Sequence, residues 1–63
     1  MYQLLVFFPG KRAPHATVTA ATATEALSLI PKLLAEHIGC EHIVVMADRV
    51  RLFAVDCKGN RLD

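Results

Sequence analysis

The order of segments along this chain predicts a two-layer α+β domain, ββαββ, with a mainly antiparallel four-stranded sheet and one helix laid on one face. Three observations predict it. Bulky and β-branched residues gather in four short runs, one stretch repeats its apolar residues at helical spacing, and Gly, Pro, Asn or Asp falls at most of the joins. No repeat, low-complexity tract or linker divides the 63 residues, so they make one domain, 1–63.

Tyr2 to Phe8 (YQLLVFF) is dense in strand formers and stops at Pro9-Gly10, a strong turn pair. A loop with the adjacent basic pair Lys11-Arg12 leads into Ala16-Thr-Val-Thr-Ala20, a short β-branched strand. Thr22 and Thr24 offer hydroxyls as helix caps, and Thr22 with Glu25 has the capping-box spacing, so a helix is expected to begin near Thr24. Leu27, Ile30, Leu34 and Ile38, widened by Leu33, form its expected core stripe. Pro31 lacks an amide proton and crowds the carbonyl of Leu27, which predicts a bend there, or else a start at Ser28. Gly39 supplies a left-handed terminator.

The remainder reads as a hairpin, His42 to Met46 and Val50 to Asp56, turning at Asp48-Arg49. A two-residue turn there pairs Val45 with Leu52 and Val44 with Phe53. Lys58-Gly59-Asn60 turns the chain once more, and Arg61 to Asp63 is too short to assign. Ubiquitin-like β-grasp domains share this order of elements, so a β-grasp-like strand order is the alternative arrangement. Fold analogy of that kind assigns no function.

A chain this short buries only about 60% of the surface its unfolded form exposes. Yet 54% of its residues are hydrophobic. Counting glycine the apolar share is about 59%, against a usual ~45–50%. The expected strands are apolar on both faces, and one helix covers one face only. The sequence therefore predicts a protein-interaction domain, homodimeric through the uncovered face, since two-fold homodimers are the commonest oligomers. The expected interface comprises Leu4, Val6, Phe8, Val44, Met46, Phe53 and Val55, with the opposite set replacing it if the helix takes that side.

Tracing strand directions sends the first loop, the helix C-terminus, the start of the third strand and the end of the fourth to one end. All three histidines and both cysteines go with them. From this set a zinc-binding alternative follows: His37, Cys40, His42 and Cys57 carry the imidazole and thiolate ligands that tetrahedral zinc takes, although the spacing is not that of a standard knuckle. Lys11, Arg12, His15, Lys58 and Arg61 share that end and define a second alternative, a weak phosphate or nucleic-acid surface. Seven basic against six acidic residues, net +1, argue against nucleic acid as a main partner.

No nucleophile elbow, phosphate-cradling glycine loop or paired-carboxylate motif is present, and so short a chain has little room for a pocket of ~300 Å³, so no enzyme and no cofactor other than zinc is expected. Apolar runs fall short of the ~20 residues of a membrane span, and Met1 to Phe8 lacks a basic lead and a cleavage site. With only two cysteines the expected location is the cytoplasm.

Overall fold

Each apolar run becomes a strand. The computed structural model describes residues 1–62, with β1 (Tyr2–Phe7), β2 (Ala16–Ala20), α1 (Ala23–Glu36), β3 (His42–Ala47) and β4 (Val50–Asp56). One sheet forms in the order β2-β1-β3-β4, and every strand pair among the described residues is antiparallel. The ββαββ two-layer α+β expectation holds. It is β3 and not β4 that lies beside β1, so a grasp-like order is not formed. Since β2 and β3 both oppose β1, they run parallel to each other, and α1 carries the chain across β1 from one to the other.

The pairings define rows across the sheet, and alternate rows face opposite sides. Val18, Leu4, Val45 and Phe53 form one row, and Ala16, Val6, Ile43 and Val55 the next on the same side. Helix α1 packs on this side, chiefly over β1 and β2. Leu4, Val6 and Ile43 are fully buried there and Val45 nearly so. The helix contributes Ala26, Ile30 and Leu33 to the same core, with Leu29 and Leu34 at its margin. The expected stripe is thus displaced by about one position. Leu27 is 55% exposed, with Ala26 and not Leu27 buried against the sheet in the first turn, and Ile38 is 87% exposed because α1 ends before it, at Glu36.

Thr22 caps the helix, its Oγ1 accepting the Glu25 amide at 3.1 Å, so α1 begins one residue before the expected Thr24. The helix runs unbroken through Pro31, which is exposed and, lacking an amide proton, cannot donate to the Leu27 carbonyl. At the C-terminus both the amide and the Nδ1–H of His37 donate to the Leu33 carbonyl, each at 2.9 Å. Gly39, at φ 92°, then reverses the chain.

In the hairpin the two-residue turn forms as expected, with Ala47 opposite Val50 and Asp48 in the left-handed region at φ 56°. A bulge follows at once. Met46 opposes Arg51 but Val45 opposes Phe53, leaving Leu52 as the extra residue. The expected pairs Val45–Leu52 and Val44–Phe53 are therefore wrong by one residue. Since strand faces alternate, that residue carries Phe53 and Val55 to the helix side and Ala54 to the other. Beyond β4 the chain folds back along its outer edge: Asp56 donates its amide to the Asn60 carbonyl at 2.8 Å, and Leu62 donates to the Ala54 carbonyl at 2.9 Å. The Asp56 carboxylate fastens this reversal by accepting the amides of Lys58 and Asn60, both at 2.9 Å.

Candidate functional site

The face opposite α1 is built from three rows. Thr17, Leu5, Val44 and Ala54 lie across its middle, Thr19, Gln3, Met46 and Arg51 toward one end, and Phe7, His42 and Asp56 toward the other. Its centre is apolar, through Leu5, Phe7, Val44 and Met46, and its margins are polar. Those four side chains are only half-buried, in contrast with the fully buried row on the helix side. No element of the described residues lies over them.

This geometry divides the expected interface. Val44 and Met46 lie on the open face, but Leu4, Val6 and Val55 are buried in the core, with Phe8 and Phe53 packed against it. Two causes act together: the helix took the face that Leu4 and Val6 present, and the Leu52 bulge moved Phe53 and Val55 there too. The opposite β1 set, Leu5 and Phe7, takes their place. Val50-Arg-Leu-Phe departs from strict alternation, which marks an irregularity in β4 without locating it.

The histidines do reach one end, but on different faces. His37 and His15 lie edge to face with ring centroids 5.8 Å apart, and Phe8 sits beside both, 4.8 Å from His15 and 6.4 Å from His37. His42, on the open side, stacks on Phe7 at 4.9 Å and pairs through Nδ1 with Glu41 at 3.1 Å. Cys40 is buried and Cys57 exposed, and both are free thiols. Burial, and secondarily the charge of Cys57, push the Cys40 thiol above its ordinary pKa. Among the described residues no group of three or more His, Cys, Asp or Glu side chains is gathered as a metal site needs. His37, Cys40, His42 and Cys57 therefore do not come together as the zinc alternative requires.

The basic residues also separate. Lys11, Arg12 and His15 belong to the β1–β2 loop, whereas Lys58 and Arg61 follow β4 on the other side of β3. The gap is two to three strand spacings, about 10–14 Å. That exceeds the ~8 Å over which exposed charges act together at physiological salt. Arg61 is otherwise engaged, its guanidinium 5.2 Å above the Phe53 ring. The loop itself encloses an open depression of about 490 Å³ lined by Phe8, Gly10, Lys11, Arg12, Ala13 and His15. So large a concavity departs from the expectation that so short a chain has little room for a pocket of ~300 Å³. A smaller apolar cleft of about 90 Å³ lies between the first turn of α1 and β4, with Leu27, Leu52 and Phe53 in its walls.

Among the described residues no side-chain nitrogen or oxygen is buried without a partner, so none marks an interior ligand site. None of their helices is long and apolar enough to cross a membrane. Comparison with family models, with curated proteins and with solved structures yields no match.

Proposed function

We propose that this chain is a small protein-interaction domain that pairs with a second copy of itself through the open face of its sheet. The observation that carries this reading is the apolar centre formed by Leu5, Phe7, Val44 and Met46 on a face that α1 does not cover. Contiguous apolar surface ringed by polar residues is a common mark of an interaction site.

Magnitudes set how tight such a contact can be. Four strands at ~4.8 Å by six residues at ~3.4 Å give a footprint of about 400 Å², below the ~800 Å² per partner of a standard interface. Because Leu5, Phe7, Val44 and Met46 are already largely buried, completing their burial contributes at most about 2–4 kcal/mol per protomer, against association costs of ~4–15 kcal/mol. The face alone thus supports a weak dimer, with dissociation in the micromolar range or above.

Sedimentation from micromolar to millimolar protein tests this. Association of the wild type is expected to grow with concentration, and Val44→Glu, which places a charge at the centre of the face contact, is expected to associate less while keeping its fold. A wild type that is monomeric throughout, or a Val44→Glu variant with unchanged association, overturns the reading.

A second reading rests on the loop depression, whose lining includes Lys11, Arg12, His15 and Phe8: a site for a small phosphate-bearing ligand. Its check is binding of inorganic phosphate or a nucleotide at two salt concentrations. Affinity should fall as salt rises and fall again in Arg12→Ala. Salt-independent binding, or none, removes it.

A further inference from the structure

The outer edges of the sheet are treated differently. On β4 the Leu52 bulge and the returning tail fill or deflect the edge, the tail occupying the Ala54 carbonyl and the Asp56 amide. Bulges and covered edges of this kind guard against pairing with other chains. The edge of β2 carries no such device: Ala16–Ala20 contains no charge and no proline, and no described strand lies outside it.

The hydrogen bonds of β1 show which groups that edge presents. Its Met1 and Phe7 carbonyls accept from Asp48 and Glu41 on the β3 side, at 3.2 and 2.8 Å, whereas the Val6 carbonyl accepts from His15 on the β2 side at 2.7 Å. Even-numbered residues of β1 therefore bond toward β2, and their partners Ala16, Val18 and Ala20 bond back. Thr17 and Thr19 are left with amide and carbonyl directed outward.

The sequence of this edge, Ala-Thr-Val-Thr-Ala, reads the same in both directions. We infer that a second copy of the chain joins at the β2 edge, antiparallel about a two-fold axis through Val18, to make one continuous eight-stranded sheet. In that register Thr17 of one copy opposes Thr19 of the other, twice over, and each pair exchanges both of its backbone hydrogen bonds. Val18 then faces its own symmetry mate at a non-hydrogen-bonded position, where Cα atoms approach to ~4.5 Å and side chains pack closest. The same operation sets threonine against threonine on the open side and small residues against one another on the helix side, with no like charges opposed. It also brings both open faces to one side, joining two footprints of about 400 Å² into one of about 800 Å², the size of a standard interface. The edge contact does not depend on the face contact proposed above, and separate variants tell them apart.

Amide hydrogen exchange of the wild-type chain, followed by NMR across a dilution series, is the direct test. Val18 and Ala20 amides should be protected at every concentration, because they bond within the chain. Thr17 and Thr19 amides should be protected at millimolar concentration and lose that protection on dilution. Thr17→Pro removes an outward donor that the single chain does not use, and should weaken edge association by roughly tenfold or more, two bonds being lost by symmetry. Should proline disturb the strand itself, Thr19→Lys keeps the amide and sets a charge on the edge, with the same loss expected. Val44→Glu should leave the Thr17 and Thr19 protection in place. Thr17 and Thr19 amides that exchange freely at the highest concentration overturn the inference. So does protection that Val44→Glu abolishes and Thr19→Lys does not.

Discussion

The two faces of this sheet are nearly equal in apolar character along the sequence and unequal in burial. Ile43 and Val44 are neighbours in β3, one fully buried beneath α1 and the other half-buried on the open side. Leu4 and Leu5 stand in the same relation in β1. Composition thus set a demand for cover on both sides, while the chain supplies cover for one. The helix side holds the buried core of the chain, and the open side keeps its apolar centre partly exposed.

Substitution across β3 sharpens this contrast most. Ile43→Ala leaves a hole in the tightest part of the core and is expected to lower stability by about 2–5 kcal/mol. Val44→Ala, measured in dilute protein, should cost less than half as much, because its side chain already meets water. Denaturant unfolding of the two variants at equal low concentration checks this, and equal losses would break the distinction between the faces. A smaller effect tests the cover itself: Thr22→Ala removes the cap of α1 and is expected to cost about 1 kcal/mol, with the loss read in the thermal midpoint.

The smallest effect concerns the rim. Asp56 has its pKa held below the ordinary aspartate range, first by the Asn60 amide and also by that of Lys58. A carboxyl depressed in the folded state stabilises it above the unfolded pKa, and that stabilisation is lost as pH falls through the lower folded value. Acidification below the ordinary aspartate range should therefore free the tail, speeding exchange of the Leu62 amide before the core opens. Asp56→Ala should reproduce that exchange at neutral pH. A Leu62 amide indifferent to both would detach the carboxylate from the closure of the β4 edge.

Much of the fold was legible in the residues. Pro9-Gly10, the Thr22–Glu25 cap and Gly39 bound the elements because each rests on local backbone chemistry, which short-range sequence carries. The site was legible only in part. Alternation places Val44 and Met46 on the uncovered face, as the fold does, but it places Leu4, Val6, Phe8, Phe53 and Val55 there too. A single bulge residue, Leu52, reverses everything that follows it in β4, and alternation alone cannot locate it. The gathering of histidines and cysteines at one end followed from strand directions, yet His37 and His42 fall on opposite sides of the sheet. Direction along a strand and facing across it are separate properties.

By itself the sequence determined the elements, their order and an excess of apolar surface, since these follow from propensity, turn chemistry and composition. Which face α1 would cover, where the β3–β4 ladder would slip and which edge the C-terminal tail would close were decided by the tertiary structure. Those choices depend on contacts between residues far apart in the chain, such as Ala26 against the sheet and Leu62 against Ala54, whose energies no local pattern contains.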